Sequence, residues 1–119
     1  MTNTVSVSHA FKREVKPLAK KYLTLRESVD KLIADLIKNP YLGDEYGQGL
    51  FKIRLSDESK GKGKSGGFRV MYYHLNVTQN KIDILLLSIY NKSAQSTIKK
   101  ADAIKRLREI LIEHERESK

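Results

Sequence analysis

"IDILLLSI", residues Ile82–Ile89, is apolar at every position except Asp83 and Ser88. A strand with one wet face alternates with a period of two, and a membrane helix needs roughly 20 apolar residues, so neither describes this run. It reads as a strand covered on both faces, at the centre of a sheet, spanning Lys81–Tyr90 with its flanks. Asp83, alone in apolar surroundings, is expected to have a structural or edge role.

The chain on either side is read from that strand. Upstream, Phe68–Leu75 is a second strand joined to it by Asn76–Asn80, and Leu50–Leu55 is a third. In the third, Phe51, Ile53 and Leu55 alternate with Leu50, Lys52 and Arg54, which puts the two cations on one face. Gly43, Asp44, Gly47 and Gly49 read as turn residues leading into it. Nearer the N-terminus, Thr4–Ser8 alternates like a short strand, and Ser8 is placed to cap a helix with Phe11, Val15, Leu18 and Tyr22 on one stripe. Pro17 inside that stripe predicts a kink or a late start. Thr24 and Glu27 form a capping-box pattern ahead of Val29, Leu32, Ile33, Leu36 and Ile37, and Asn39-Pro40 ends the second helix. After Ser93, Ile98, Ala101, Ile104, Leu107 and Leu111 mark a last helix, with a tail fraying over about 115–119. The order is strand, two helices, three strands, helix. It predicts one α+β domain over residues 1–119: an N-terminal strand and helical hairpin packed on a small, mostly antiparallel sheet, helices on one side, with a C-terminal helix.

Composition narrows the function classes. Lys and Arg number 23 against 14 Asp and Glu, a net charge of +9, which points to a polyanionic partner and to nucleic acid first. There is no cysteine, so no disulfide or thiolate metal site is expected. The absence of a long apolar run or an apolar leader predicts a cytoplasmic protein with no membrane partner.

Lys60–Tyr73, "KGKGKSGGFRVMYY", is the most basic stretch. Gly63-Lys64-Ser65 ends like a phosphate-binding P-loop, but the glycine required five places before Gly63 is Glu58, and "FRVMYYHL" after it reads as a strand where a helix is needed. The glycines instead leave Lys60, Lys62 and Lys64 free to follow a phosphate backbone. In the strand, Arg69, Met71 and Tyr73 share a face, which can join Lys52 and Arg54 in one cationic patch.

Familiar catalytic groups are missing. His9, His74 and His114 have no partners at metal or triad spacing, and His74 reads as structural. No cofactor or metal is expected. Lys, Arg and Tyr remain, a set that suits RNA cleavage by the substrate's own 2'-hydroxyl: a base near that oxygen, cations on the phosphate and an acid at the 5'-leaving oxygen. Free lysine titrates near 10.4, so a lysine base would need its pKa lowered by neighbouring cations.

"FKREVKPLAKKY", "GLFKIRL", "KGKGKSGGFRVMYY" and "LLLSIYNKS" together resemble the RelE/ParE superfamily of bacterial type II toxins, most closely its RelE-like, HigB-type branch. The likeness runs from about Phe11 to Leu111. It implies a RelE-like toxin fold and a ribosome-dependent mRNA endonuclease acting in the A site. A cognate antitoxin would neutralise it in a toxin–antitoxin hetero-oligomer. By the same resemblance Lys52 and Arg54 are the strand cations, one of them a general base or phosphate ligand. Arg69 stabilises the developing phosphate charge, and Lys92 falls where relatives carry an arginine assigned as acid or leaving-group stabiliser. Lys60, Lys62 and Lys64 match a basic loop that grips RNA. The resemblance also implies a C-terminal tyrosine stacked on the substrate base, as in RelE; Ile98 falls there, so stacking either comes from Tyr90, Tyr72 or Tyr73 or is weaker.

Two rival readings come from other classes. ParE-like gyrase inhibitors share the fold and cut nothing, but lack the full set that Lys52, Arg54, Arg69 and Lys92 make up here. A non-catalytic RNA-binding module would need the charge alone.

Overall fold

The apolar run lies in a strand closed in from both sides. A computed structural model describes residues 3–57, 67–91 and 100–117, with β1 at Thr4–Val7, α1 at His9–Lys21, α2 at Leu25–Lys38, β2 at Asp44–Gly47, β3 at Leu50–Leu55, β4 at Phe68–Val77, β5 at Ile82–Asn91 and α3 at Lys100–Glu117. The five strands are ordered β1-β5-β4-β3-β2, with β1 parallel to β5 and the other pairs antiparallel. Ile84, Leu85 and Leu86, on alternating faces of β5, are wholly buried.

Each face has its own core. On one, Phe11 of α1 and Leu25, Val29, Leu32 and Leu36 of α2 pack on Phe51, Leu55, Phe68, Val70, Tyr72, Ile84, Leu86 and Ile89. On the other, Ala103, Leu107 and Ile110 of α3 and Ala10 of α1 join Leu50, Met71, Leu85 and Leu87. The helices therefore do not all lie on one side, as the element order suggested. β5 is apolar on successive residues because two separate layers need it.

Other expectations change locally. Pro17 lies within a continuous α1, which neither breaks nor starts late. Ser8 caps that helix as expected, accepting the Phe11 N–H at 3.0 Å. The Thr24–Glu27 capping box does not form. Thr24 makes no side-chain cap, and its hydroxyl donates instead to Asp57 at 3.0 Å. Asp44–Gly47, read as turn, forms the short edge strand β2. The first part of the last helix, including Ile98, lies outside the described residues. Asp83 has the structural role expected: it accepts from Thr4 at 2.6 Å and pairs with Lys81 at 3.5 Å, and the Thr4 hydrogen bond is the main reason its pKa is lowered.

Tyr72 and His74 project into the helical-hairpin side and pin the α2–β2 connection. The Tyr72 ring stacks on Phe51 at 5.0 Å, its hydroxyl donates to Pro40 O at 3.1 Å and accepts from Gly43 N at 2.8 Å. The buried His74 donates from Nε2 to the same Pro40 carbonyl at 2.8 Å, so the structural reading of this histidine holds. Burial raises the Tyr72 pKa from its ordinary value of 10.0, partly offset by the Gly43 hydrogen bond and reinforced by Asp44. With the folded value raised, this contribution to stability is complete below the unfolded tyrosine pKa and is lost as pH rises through the folded one. Tyr72→Phe removes one of the two donors to the buried Pro40 carbonyl and the acceptor of the half-buried Gly43 N–H. It should lower unfolding stability by about 1–3 kcal/mol at neutral pH and flatten the loss of stability above about pH 10, both measurable by denaturant titration.

Candidate active site

β3 and β4 pair with Lys52 opposite Met71, Arg54 opposite Arg69 and Leu55 opposite Phe68. Facing residues of an antiparallel pair have their Cα atoms about 4.5–5.5 Å apart with side chains on the same face. Because the hairpin side claims Phe51, Ile53, Leu55, Val70 and Tyr72, the other face receives Lys52, Arg54 and Arg69. β5 extends the row, with Tyr90 opposite Arg69. Arg54, Arg69 and Tyr90 thus lie side by side across three strands, and Lys52 is two residues along β3.

These side chains differ in exposure. Arg54 is exposed, while Lys52, Arg69 and Tyr73 are half-buried. Arg69 donates from Nη1 to Phe68 O at 3.3 Å, and Lys52 Nζ sits 5.0 Å from the centre of the Tyr46 ring. Among the described residues neither Lys52 nor Arg54 forms an ion pair; the recorded pairs are Arg13–Glu113, Lys81–Asp83 and Arg106–Glu14, all elsewhere. Two arginines in register concentrate positive charge at one point of the face, a setting that favours an anion. No group of three or more His, Cys, Asp or Glu side chains at metal-binding spacing occurs among the described residues.

The candidate stacking tyrosines separate. Tyr72 is wholly buried on the opposite face, with its hydroxyl committed to Pro40 and Gly43, so it offers no ring to a base. Tyr90 is only 6 % exposed and its buried hydroxyl has no hydrogen-bond partner among the described residues, which makes its ring a wall of the cationic row and not an open platform. Tyr73, partly buried against the α3-side core, keeps an accessible edge on the correct face. Lys60, Lys62, Lys64 and Lys92 lie outside the described residues.

Both ends of the basic stretch are anchored. Asp57, buried two residues past β3, accepts from Thr24 and from the Ser28 hydroxyl at 2.6 Å, which ties the strand end to the start of α2. At the other end Gly67 has φ +62°, and a Cβ there would lie 2.5 Å from Leu55 O. Only glycine fits. The residue after it opens β4, so a strand and not a helix follows the glycine-lysine stretch, and the P-loop reading fails. The sequence offered no sign of Tyr46, Asp57 or the α1 residues behind β5, because their roles come from contacts distant along the chain.

No family model matches the chain. Among solved structures it is similar to a free-state structure of a mutant of the E. coli toxin RelE, with a TM-score of 0.55 and 22% identity over 90% of this chain and 99% of that one. The chain has the RelE fold. The match takes in 99% of that RelE chain, so the likeness spans the fold as a whole and not one part of it.

Gly67→Ala tests how rigidly the row is held. The clash with the Leu55 carbonyl and the left-handed backbone should together cost about 1–3 kcal/mol in denaturant unfolding. The backbone amides of Leu55, Phe68 and Arg69 should show the largest NMR shift changes.

Proposed function

We propose that this protein is the toxin of a type II toxin–antitoxin pair, of the RelE-like HigB type, and that it cuts messenger RNA on the ribosome without a metal or cofactor. The observation that carries this reading is the meeting of Lys52, Arg54 and Arg69 on one sheet face, with Arg54 and Arg69 in register. The similarity in fold to a toxin supports it.

The reaction needs little covalent chemistry from the protein. The RNA 2'-oxygen attacks the adjacent phosphorus as the P–O5' bond breaks, giving a 2',3'-cyclic phosphate and a free 5'-hydroxyl. We assign Lys52 to hold a phosphate oxygen or, in its neutral form, to take the 2'-hydroxyl proton, and Lys92 to return a proton to the 5'-oxygen or to stabilise its charge. Arg54 and Arg69 hold the non-bridging oxygens, where negative charge grows in the transition state. Such preorganised donors are each worth about 10²–10³ in rate. A guanidinium suits this task because its planar fork can bind two oxygens at once. Lys60, Lys62 and Lys64 contact the phosphate backbone or ribosomal RNA, and Tyr73 and Tyr90 border the base. The cognate antitoxin would hold the toxin inactive in the cytoplasm.

Primer extension on a translated message, with and without ribosomes, tests the reading. Wild type should give cuts only with ribosomes. Arg69→Ala should lower cleavage about 10²–10³-fold while ribosome co-sedimentation persists, and Lys92→Ala should also cut poorly. No cleavage under either condition, with DNA gyrase inhibited instead, would mean a ParE-like inhibitor. RNA binding without cleavage or gyrase inhibition would mean a binding module.

A further inference from the structure

We propose that Tyr46 is a positioning residue for Lys52, with its ring face fixing where that ammonium sits on the cationic face. The proposal rests on the reading of that face as a phosphate-binding and cleavage site.

Lysine carries a flexible four-carbon stem, and placing its head group costs up to about 2 kcal/mol of rotamer freedom unless something else holds it. The surroundings of Lys52 are unusual for a lysine. Leu50 before it on the same face and Met71 opposite it are 0% and 2% exposed, so its stem runs over an apolar floor. Two residues further along β3 stand Arg54 and its register partner Arg69, whose charges push the ammonium towards β2. Asp44 of β2 is the register partner of Lys52, yet the two form no ion pair. The ammonium is instead over the Tyr46 ring, 5.0 Å from its centre. The difference matters chemically. A carboxylate would occupy the N–H donors and neutralise the charge, whereas a ring face attracts the cation and leaves its donors free for phosphate.

The backbone around Tyr46 is built to aim it. Pairing passes from Glu45 opposite Phe51 directly to Gly47 opposite Leu50, so Tyr46 is the extra residue of a β-bulge, a device that redirects a side chain. Three consecutive left-handed residues follow: Gly47 at φ +94°, Gln48 at +58° and Gly49 at +81°. Gln48 accepts a conformation that side chains rarely adopt. The turn is also clamped to β4, because His74 N donates to Gly49 O at 3.0 Å and a Cβ on Gly49 would lie 3.2 Å from the Tyr73 ring. Strain concentrated where a side chain is re-aimed at a cation suits a functional site.

Three variants separate ring, hydroxyl and bulk. Tyr46→Phe keeps the face, Tyr46→Leu keeps apolar volume against Leu50 and Met71 without a π face, and Lys52→Ala removes the group positioned. Ribosome-dependent cleavage by Tyr46→Leu should fall about 5–10-fold in kcat with KM within about twofold, and Tyr46→Phe should cleave as wild type does. Independently of activity, the Lys52 ε-methylene proton resonances should be ring-shifted upfield in wild type and Tyr46→Phe. They should return to ordinary lysine positions in Tyr46→Leu, with the thermal midpoint little changed. Unshifted Lys52 resonances in wild type, or a Tyr46→Leu protein that cleaves at the wild-type rate, would overturn the proposal. So would a Tyr46→Phe protein as impaired as Tyr46→Leu. If wild type cuts nothing, the cleavage reading falls, and the resonance comparison alone decides whether Tyr46 holds Lys52.

Discussion

A strand buried on both faces leaves no water for its backbone, so every N–H and C=O of β5 must find a partner within the protein. β4 supplies one edge. On the other, β1 reaches only from Asp83 to Leu86. Beyond that point α1 takes over with side chains. Ser8 N donates to Leu86 O, the Ser8 hydroxyl donates to Leu87 O at 3.0 Å, and Glu14 accepts the Ile89 N–H at 3.4 Å. At the strand's end the Asn91 side-chain amide donates to the Tyr22 hydroxyl at 3.1 Å, a tie between side chains. Ser8 does double service, capping α1 and closing the strand edge, which accounts for a wholly buried serine. Glu14 also binds Arg106 of α3, so one carboxylate joins α1, β5 and the helix on the far face.

That arrangement explains why the candidate site lies where it does. Once the hairpin side is sealed and α3 covers Leu85 and Leu87, the far face over β3 and the start of β4 is the part that no described helix packs on. It is the one part of the sheet where alternate residues are cations. Its strands are held from behind by the larger core, so Arg54 and Arg69 are presented on a rigid ladder and cannot relax apart as loop residues would.

Much of this was legible in the sequence because it depends on local periodicity. The apolar run at Ile82–Ile89, the alternation through Leu50–Leu55 and the stripes of α1 and α2 each have one satisfactory reading; strand parity put Lys52 with Arg54 and Arg69 with Tyr73, and the β3–β4 register joins the two sets on one face. What was not legible depends on partners far along the chain. Thr24 and Glu27 are spaced for a capping box, but a buried Asp57, reached only in the folded state, takes the hydroxyl. Pro17 should interrupt a helix, yet α1 is held in place by β5 and α3, and tertiary packing outweighs the lost hydrogen bond. Asp44–Gly47 has the composition of a turn and becomes a strand because β3 supplies its partner. Tyr90 was expected to stack because the resemblance sets it close to Lys92, and nearness in sequence says nothing of burial.

The bulged edge strand shows how these levels meet. β2 is short and rich in residues that avoid strands, so its pairing with β3 adds little to the sheet as such. It nevertheless carries the Tyr46 bulge and a turn with three left-handed residues, a conformation that costs free energy at Gln48, the one of the three that is not glycine. The connection behind it is fixed by Tyr72 and His74 converging on the Pro40 carbonyl. The helical-hairpin core therefore reaches through Tyr72 and His74 to secure the strand that bears Tyr46, and the Tyr46 ring in turn lies under the Lys52 ammonium on the opposite face. One strained edge, braced from the other side of the sheet, sets the position of a cation that its own strand could not hold.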